Sequence, residues 1–94
     1  MTTTVTENED EGRYEIVVDG EVAGFTQFRV DGDIATFIHT EIDSQYEGQG
    51  LASQLIREAL DDVRGKGLRV RALCPFVRDF IDKHPEYQDL LVGH

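Results

Sequence analysis

The sequence predicts an α+β fold, a mostly antiparallel sheet with one parallel β-α-β crossover. Three observations carry that expectation. Two turn signatures, Asp19-Gly20 and Asp31-Gly32-Asp33, separate runs rich in Val, Ile, Phe and Tyr, the pattern of antiparallel hairpins. From Leu51 to Val63 apolar residues recur at helical spacing. A strand-like run, Leu68 to Leu73, comes after that helix and needs a crossover to rejoin the sheet.

Residues 1–12 hold only Met1 and Val5 as sizeable apolar groups and show no periodicity. They read as a disordered acidic tail, and residues 13–94 as a single domain. Tyr14 to Val18 is a strand, Glu21 to Val30 its return, and Ile34 to Ile42 a third strand of the meander. Strict alternation would put Ile34, Thr36, Ile38, Thr40 and Ile42 on one face, and Ala35, Phe37, His39 and Glu41 on the other. Asp43 to Gly50 is a polar loop. A helix over 51–64 then presents Leu51, Ala52, Leu55, Ile56, Ala59, Leu60 and Val63 on one side, and Gly65 and Gly67 end it. Residues 68–73 pair in parallel with 34–42. Phe76 to Lys83 forms a second helix, His84-Pro85 stops it, and Glu86 to Val92 adds a last helical turn.

Composition narrows the function classes. A chain of 94 residues makes one small domain. No apolar run reaches the roughly 20 residues of a membrane helix. The polar, acidic N-terminus suits neither a signal nor a transit peptide. A single cysteine, Cys74, excludes an internal disulfide and suits the reducing cytoplasm. The net charge is −10. It is unevenly spread: residues 1–47 hold 12 acids and 2 bases, residues 48–94 hold 7 of each. Such a domain repels phosphate backbones, so nucleic acid is not an expected partner. A small anion can still bind on the neutral half, and the acidic side favours a cationic acceptor.

The stretch Gln45-Tyr46-Glu47-Gly48-Gln49-Gly50-Leu51-Ala52 joins a strand to a helix. Free backbone N–H groups and the positive end of the helix dipole meet there, which suits a phosphate. Each such charge–dipole contribution is about 0.3–1 kcal/mol, so several donors must converge. An ordinary flexible loop has the same composition. No Gly-Lys-Ser/Thr is present, which excludes a P-loop. Ser53 stands where a dinucleotide fingerprint needs a third small residue, and no acid ends the following strand.

Gln45-x-x-Gly48-x-Gly50, after a strand and opening an amphipathic helix, resembles the acyl-CoA pyrophosphate loop of the GNAT N-acetyltransferase superfamily. The resemblance extends through His39-Thr40-Glu41-Ile42, Gly48 to Ser53, Cys74-Pro75-Phe76 and His84-Pro85-Glu86-Tyr87. Together these blocks resemble the small, truncated, stand-alone GNAT-like proteins. The resemblance covers roughly residues 13–92. It implies a truncated GNAT-like (acyl-CoA N-acyltransferase) fold and acetyl-CoA, or coenzyme A, as cofactor. The pyrophosphate would take amides near Gly48, Gln49, Gly50, Leu51 and Ala52. The pantetheine arm would lie beside Glu41 and Ile42, in the splay toward Cys74. Full-length members carry helices between their first two strands and strands after the last helix. Here Asp19-Gly20 leaves no room for the former and the chain stops at His94, so an open acceptor side is expected.

Three residues are candidates for chemistry. Cys74 could accept the acetyl group as a thiolate, or form a buried wall of the thioester site. His39 and Glu41, two apart on one strand face, could take the proton from an attacking amine; a hydrogen-bonded structural histidine and a solvated edge carboxylate are the alternatives. His84 reads as a helix C-terminal cap, and Tyr87 as core packing rather than a proton donor. No His/Cys spacing fits zinc. The expected function is acetyl-CoA-dependent transfer to an unidentified amine, by a monomer or weak dimer joined through its first strand. A CoA- or acyl-CoA-binding module without turnover is the alternative, and a purely structural interaction protein a third.

Overall fold

In a computed structural model, which describes residues 2–92, the strand-forming runs join one mixed sheet of order β1-β2-β3-β4-β5. The strands are β1 (Thr3–Asn8), β2 (Arg13–Val18), β3 (Glu21–Asp31), β4 (Ile34–Ile42) and β5 (Arg69–Ala72). The first four are antiparallel neighbours, and β4 and β5 run parallel. Helix α1 (Leu51–Gly65) makes the crossover between them, and α2 (Pro75–Lys83) comes after β5. A 3₁₀ turn over Ser44–Tyr46 precedes α1, and another over Pro85–Leu90 succeeds α2. The expected α+β architecture with a parallel crossover is therefore present.

The acidic tail is the first correction. Residues 3–8 are not disordered but form β1, an outer strand with six partners on β2. Thr3, Thr4, Val5 and Thr6 are β-branched, which suits a pleated surface without much hydrophobicity. Thr2 and Asp19 exchange two hydrogen bonds of 2.8 Å that fix the start of the ladder. Val5 packs on the core, and the Glu7 carboxylate pairs with the Lys66 ammonium beyond the end of α1. β1 also covers the strand expected at the sheet edge.

One face of the sheet is covered. α1 buries Leu55, Ile56, Leu60 and Val63 completely, each contributing about 1.5–3 kcal/mol relative to exposure. They pack with Tyr14, Ile16, Phe28 and Phe37 from the strands, and with Val77, Phe80 and Ile81 from α2. The Tyr14, Phe28 and Phe37 rings stack in series, at 4.8 and 5.7 Å between centroids. The opposite face carries Arg13, Glu15, Phe25, Gln27, His39 and Glu41, aligned across the strands by register, with no helix over it among the described residues.

The second correction concerns β4. Gln27 pairs with His39, but Phe28 pairs with Phe37, so Ile38 is an extra residue in a β-bulge. A bulge of this kind resets the alternation. Ala35 and Phe37 face the core before it; Thr40 and Ile42, not His39 and Glu41, continue that face after it. The same point ends the pairing with β5. Phe37 opposite Ala72 is the last pair, and the Leu73 and Cys74 amides both donate to the Phe37 carbonyl at 3.0 Å. Beyond it the two strands part, and β4 runs on to Ile42 with one edge free.

Candidate functional site

The free edge of β4 leads into the glycine loop. Asp43 holds the turn between them: its carboxylate accepts from the Gln45 amide at 3.3 Å, and its own amide donates to the Ala23 carbonyl at 2.7 Å. The Tyr46 hydroxyl reaches Glu21 at 3.4 Å. Partial burial, then the Glu21 carboxylate, keep that phenol above its ordinary pKa. These contacts tie the start of the loop to β3.

Gly48 and Gly50 have φ of 82° and 73°, left-handed values that glycine adopts without strain. Gly50 is the N-cap of α1, and no side chain caps that end. The first amide with an intrahelical acceptor is that of Gln54, which donates to the Gly50 carbonyl at 3.2 Å. The N–H groups of Leu51, Ala52 and Ser53 are therefore left for an external acceptor. They border a recess of about 210 Å³ lined by Ile42, Tyr46, Gly48, Gly50, Leu51, Ala52 and Phe76, among others. An anionic oxygen fits such a cradle by chemistry and by shape. Gln49, expected to bind alongside its neighbours, is exposed in the same loop but does not line this recess.

Sequence reasoning overlooked the neighbouring recess. Ser53 and Phe76 also wall a hollow of about 140 Å³ that ends at Asp79, Phe80, Lys83 and His84. The two hollows adjoin at Ser53 and Phe76 and make up a two-part trough between the loop and α2. Phe76, Phe80 and Lys83 recur at helical spacing, and Phe76 remains exposed; that pair of features was the available clue. Lys83, 3.6 Å from Asp79, brings a cation to the far part of this trough, and Glu47 lines the near part.

The candidate catalytic residues do not converge on one point. His39 and Glu41 lie together on the uncovered face, with imidazole Nε2 3.2 Å from the carboxylate and side chains 55% and 60% exposed. Phe25 stands beside them, its ring 6.2 Å from His39 and capped by the Arg13 guanidinium at 4.5 Å. Cys74 sits on the covered side of the splay and is only 4% exposed. Its thiol donates to the Thr40 hydroxyl at 3.4 Å, and Thr40 in turn bonds Thr26 at 2.9 Å. Its partner is thus a hydroxyl, which is no general base.

The remaining assignments are plain. His84 is the C-cap of α2, its Nδ1 2.7 Å from the Phe80 carbonyl and its ring stacked on Phe80 at 3.9 Å. Tyr87 is buried and donates to Asp61 on α1 at 2.7 Å; burial first, then that carboxylate, raise its pKa. Among the described residues no group of three His, Cys, Asp or Glu side chains could hold a metal, and no helix is long and apolar enough to cross a membrane.

The sequence pattern of the GCN5-related N-acetyl-transferase family matches residues 13–90. The chain belongs to that family. It is similar to a GCN5-like protein from Staphylococcus aureus solved in solution, with a TM-score of 0.73 at 22% identity over 97% of this chain and 89% of that one. It is also similar to a GNAT family N-acetyltransferase from Escherichia coli in complex with CoA, with a TM-score of 0.61 at 25% identity over 81% of this chain and 44% of that one. Among curated proteins it resembles bovine Protein NATD1, 36% identical over 47 residues. That match spans 50% of this chain and 42% of the relative, so the chain matches less than half the length of the curated protein.

Proposed function

We propose that this domain binds acetyl-CoA and transfers its acetyl group to an amine. The observation that carries the reading is the uncapped N-terminus of α1, set behind two left-handed glycines at the end of the free β4 edge. The amides near Gly48, Gln49, Gly50, Leu51 and Ala52 would hold the pyrophosphate. The free edge of β4 at Glu41 and Ile42 would hold the pantetheine arm, and the trough toward Lys83 would receive the nucleotide end. Two solved neighbours of this fold, from Escherichia coli and Thermoplasma acidophilum, are described as complexes with coenzyme A. Acetyl-CoA supplies an activated acyl group as a thioester; this chain supplies position and proton handling.

His39 or Glu41 would take the proton of the attacking amine, directly or through water, as the new C–N bond replaces the thioester C–S bond; coenzyme A leaves as its thiolate and takes up a proton from solvent. Their exposure makes them accessible to an acceptor arriving on the uncovered face. A recess of about 310 Å³ beside them, with Glu41, Asp43, Phe25 and Arg13 in its lining, suits the protonated amine in its resting form. Cys74 serves as a buried wall of the thioester site, and transfer is direct. Titration with acetyl-CoA, followed by amide shifts, tests the reading. Shifts confined to residues 41–53 and to α2 through His84 are expected; no binding at millimolar ligand overturns it.

The uncovered sheet face supports a second reading, a CoA-binding module without turnover. A panel of amines separates the two: saturable CoA binding with no acetyl release to any of them favours the module. An acetylated Cys74 seen by mass spectrometry would instead replace direct transfer with a covalent route.

A further inference from the structure

Most of the basic side chains are engaged. Arg13, Arg57, Arg64, Lys66 and Lys83 each lie within 4 Å of a carboxylate. Arg69 and Arg78 donate to the backbone carbonyls of Leu91 and Ala72. Arg29 and Arg71 are exposed and, among the described residues, make neither an ion pair nor a side-chain hydrogen bond, in a chain with 19 acids. Their placement is not scattered. Arg29 on β3 and Arg71 on β5 both pair in register with Thr36 on β4, so they share one cross-strand row. Two strand spacings separate them, about 10 Å. The row lies on the face opposite Phe28, Phe37 and Ala72, which is the uncovered face.

That row stands at the foot of the splay. The next pair, Phe37 with Ala72, is the last before β4 and β5 part. Beyond it come two exposed apolar side chains, Ile38 at 40% and Leu73 at 57%, and then the His39–Glu41 pair. From the cation row toward the far end of β4, the exposed side chains thus run from Arg29 and Arg71 through Ile38 and Leu73 to the His39–Glu41 pair.

We propose that the acceptor is an amine that also carries a carboxylate at the other end of a short aliphatic spacer. This rests on the acetyl-transfer reading above and names its acceptor class. The carboxylate docks on Arg71 and Arg29, whose guanidinium groups recognise carboxylates through paired N–H donors. The spacer crosses Ile38 and Leu73. The amine then stands between the splay and His39–Glu41. A cationic amine end and an anionic far end belong to one molecule, and a wholly cationic amine lacks the second contact.

The test uses ε-aminocaproate, its primary amide and cadaverine, all against the CoA-loaded protein. Amide-shift titration should place ε-aminocaproate across residues 29, 36–39 and 71–73. It should bind about tenfold more tightly than the amide or cadaverine, the ratio expected for one charge-assisted contact. Acetyl transfer should show the same order in kcat/KM. Arg71→Gln and Arg29→Gln should bring the carboxylate-to-amide ratio near one, with CoA affinity unchanged. Equal binding of the three compounds, or a ratio untouched by both substitutions, overturns the proposal while leaving CoA binding and transfer intact. Selective ε-aminocaproate binding without transfer supports the docking surface and overturns acetyl transfer.

Discussion

β4 is two strands in one. Its first four residues have partners on both sides; of its last five, Ile38 is the bulged residue and the other four pair only with β3. In the first half Ala35 and Phe37 are sealed in the core, while in the second His39 and Glu41 are open to solvent. One inserted residue, Ile38, separates the halves. It reverses the faces of the residues after it and coincides with the divergence of β5. The packed half fixes the sheet to α1, and the free half has unused backbone edge and accessible polar groups. Stability and access are thereby placed on the same strand without competing for the same residues.

The largest expected effect tests whether the first half is the structural one. Phe37→Ala removes a fully buried ring stacked on Phe28 and should lower unfolding stability by about 3–5 kcal/mol. Ile38→Ala, one residue away but exposed, should stay within about 1 kcal/mol. Urea denaturation of the two variants compares them directly; equal losses would erase the distinction between the halves. Next in size is the complementary experiment on the second half. His39→Gln or Glu41→Gln, whichever removes the working base, should lower acetyl transfer by about a hundredfold. Stability should change by no more than about 0.5 kcal/mol. Loss of folding rather than of rate in both variants would make the pair structural.

Much of the fold was legible in the sequence. The hairpin turns, the α1 period from Leu51 to Val63 and the glycine loop all carry local chemistry, and each stands where the residues placed it. Three things were not. The threonine-rich run before Arg13 has too little hydrophobicity to announce a strand; its order comes from pairing with β2 and from Lys66, 59 residues away from Glu7. The bulge at Ile38 is invisible because the sequence of β4 alternates without a break; only the partner strand reveals the extra residue. The separation of Cys74 from His39 and Glu41 results from that bulge, since uninterrupted alternation would have put His39 on the core face beside Phe37. Local pattern specifies elements, whereas the face a residue finally occupies depends on register.

A smaller effect is expected at the loop that begins where the free half of β4 ends. Gly50→Ala places a Cβ at φ 73°, at a penalty of about 1–2 kcal/mol for an L-residue in the left-handed region. Relaxing that strain turns the helix amides away, so acetyl-CoA affinity should fall about tenfold, while Phe37 and the core stay unchanged. Calorimetry against the parent protein gives the ratio. Unaltered affinity would mean that the helix end does not hold the phosphates.

The smallest effect probes the rim of the packed region, where β1 and β2 meet α1. The Tyr14 hydroxyl donates to Asp62 at 2.5 Å, and Lys66 lies 2.9 Å from the same carboxylate. The Tyr14 hydrogen bond, with help from Lys66 and against partial burial, holds the Asp62 pKa below its ordinary 3.8. Burial, and then Asp62, hold the Tyr14 phenol well above its ordinary 10.0. The signs oppose each other. Asp62 contributes stability that is present above its unfolded pKa and is lost as pH falls through the folded one. Tyr14 contributes stability that is present below its unfolded pKa and is lost as pH rises toward the folded one. The pair therefore predicts a plateau between about pH 5 and about pH 9, with a fall on each side. Tyr14→Phe should lower stability on that plateau by about 1 kcal/mol and remove the alkaline fall due to this phenol. Asp62→Asn should flatten the acid limb instead. An acid limb of unchanged slope in Asp62→Asn would assign it to other carboxylates and leave the Tyr14 contact as packing alone.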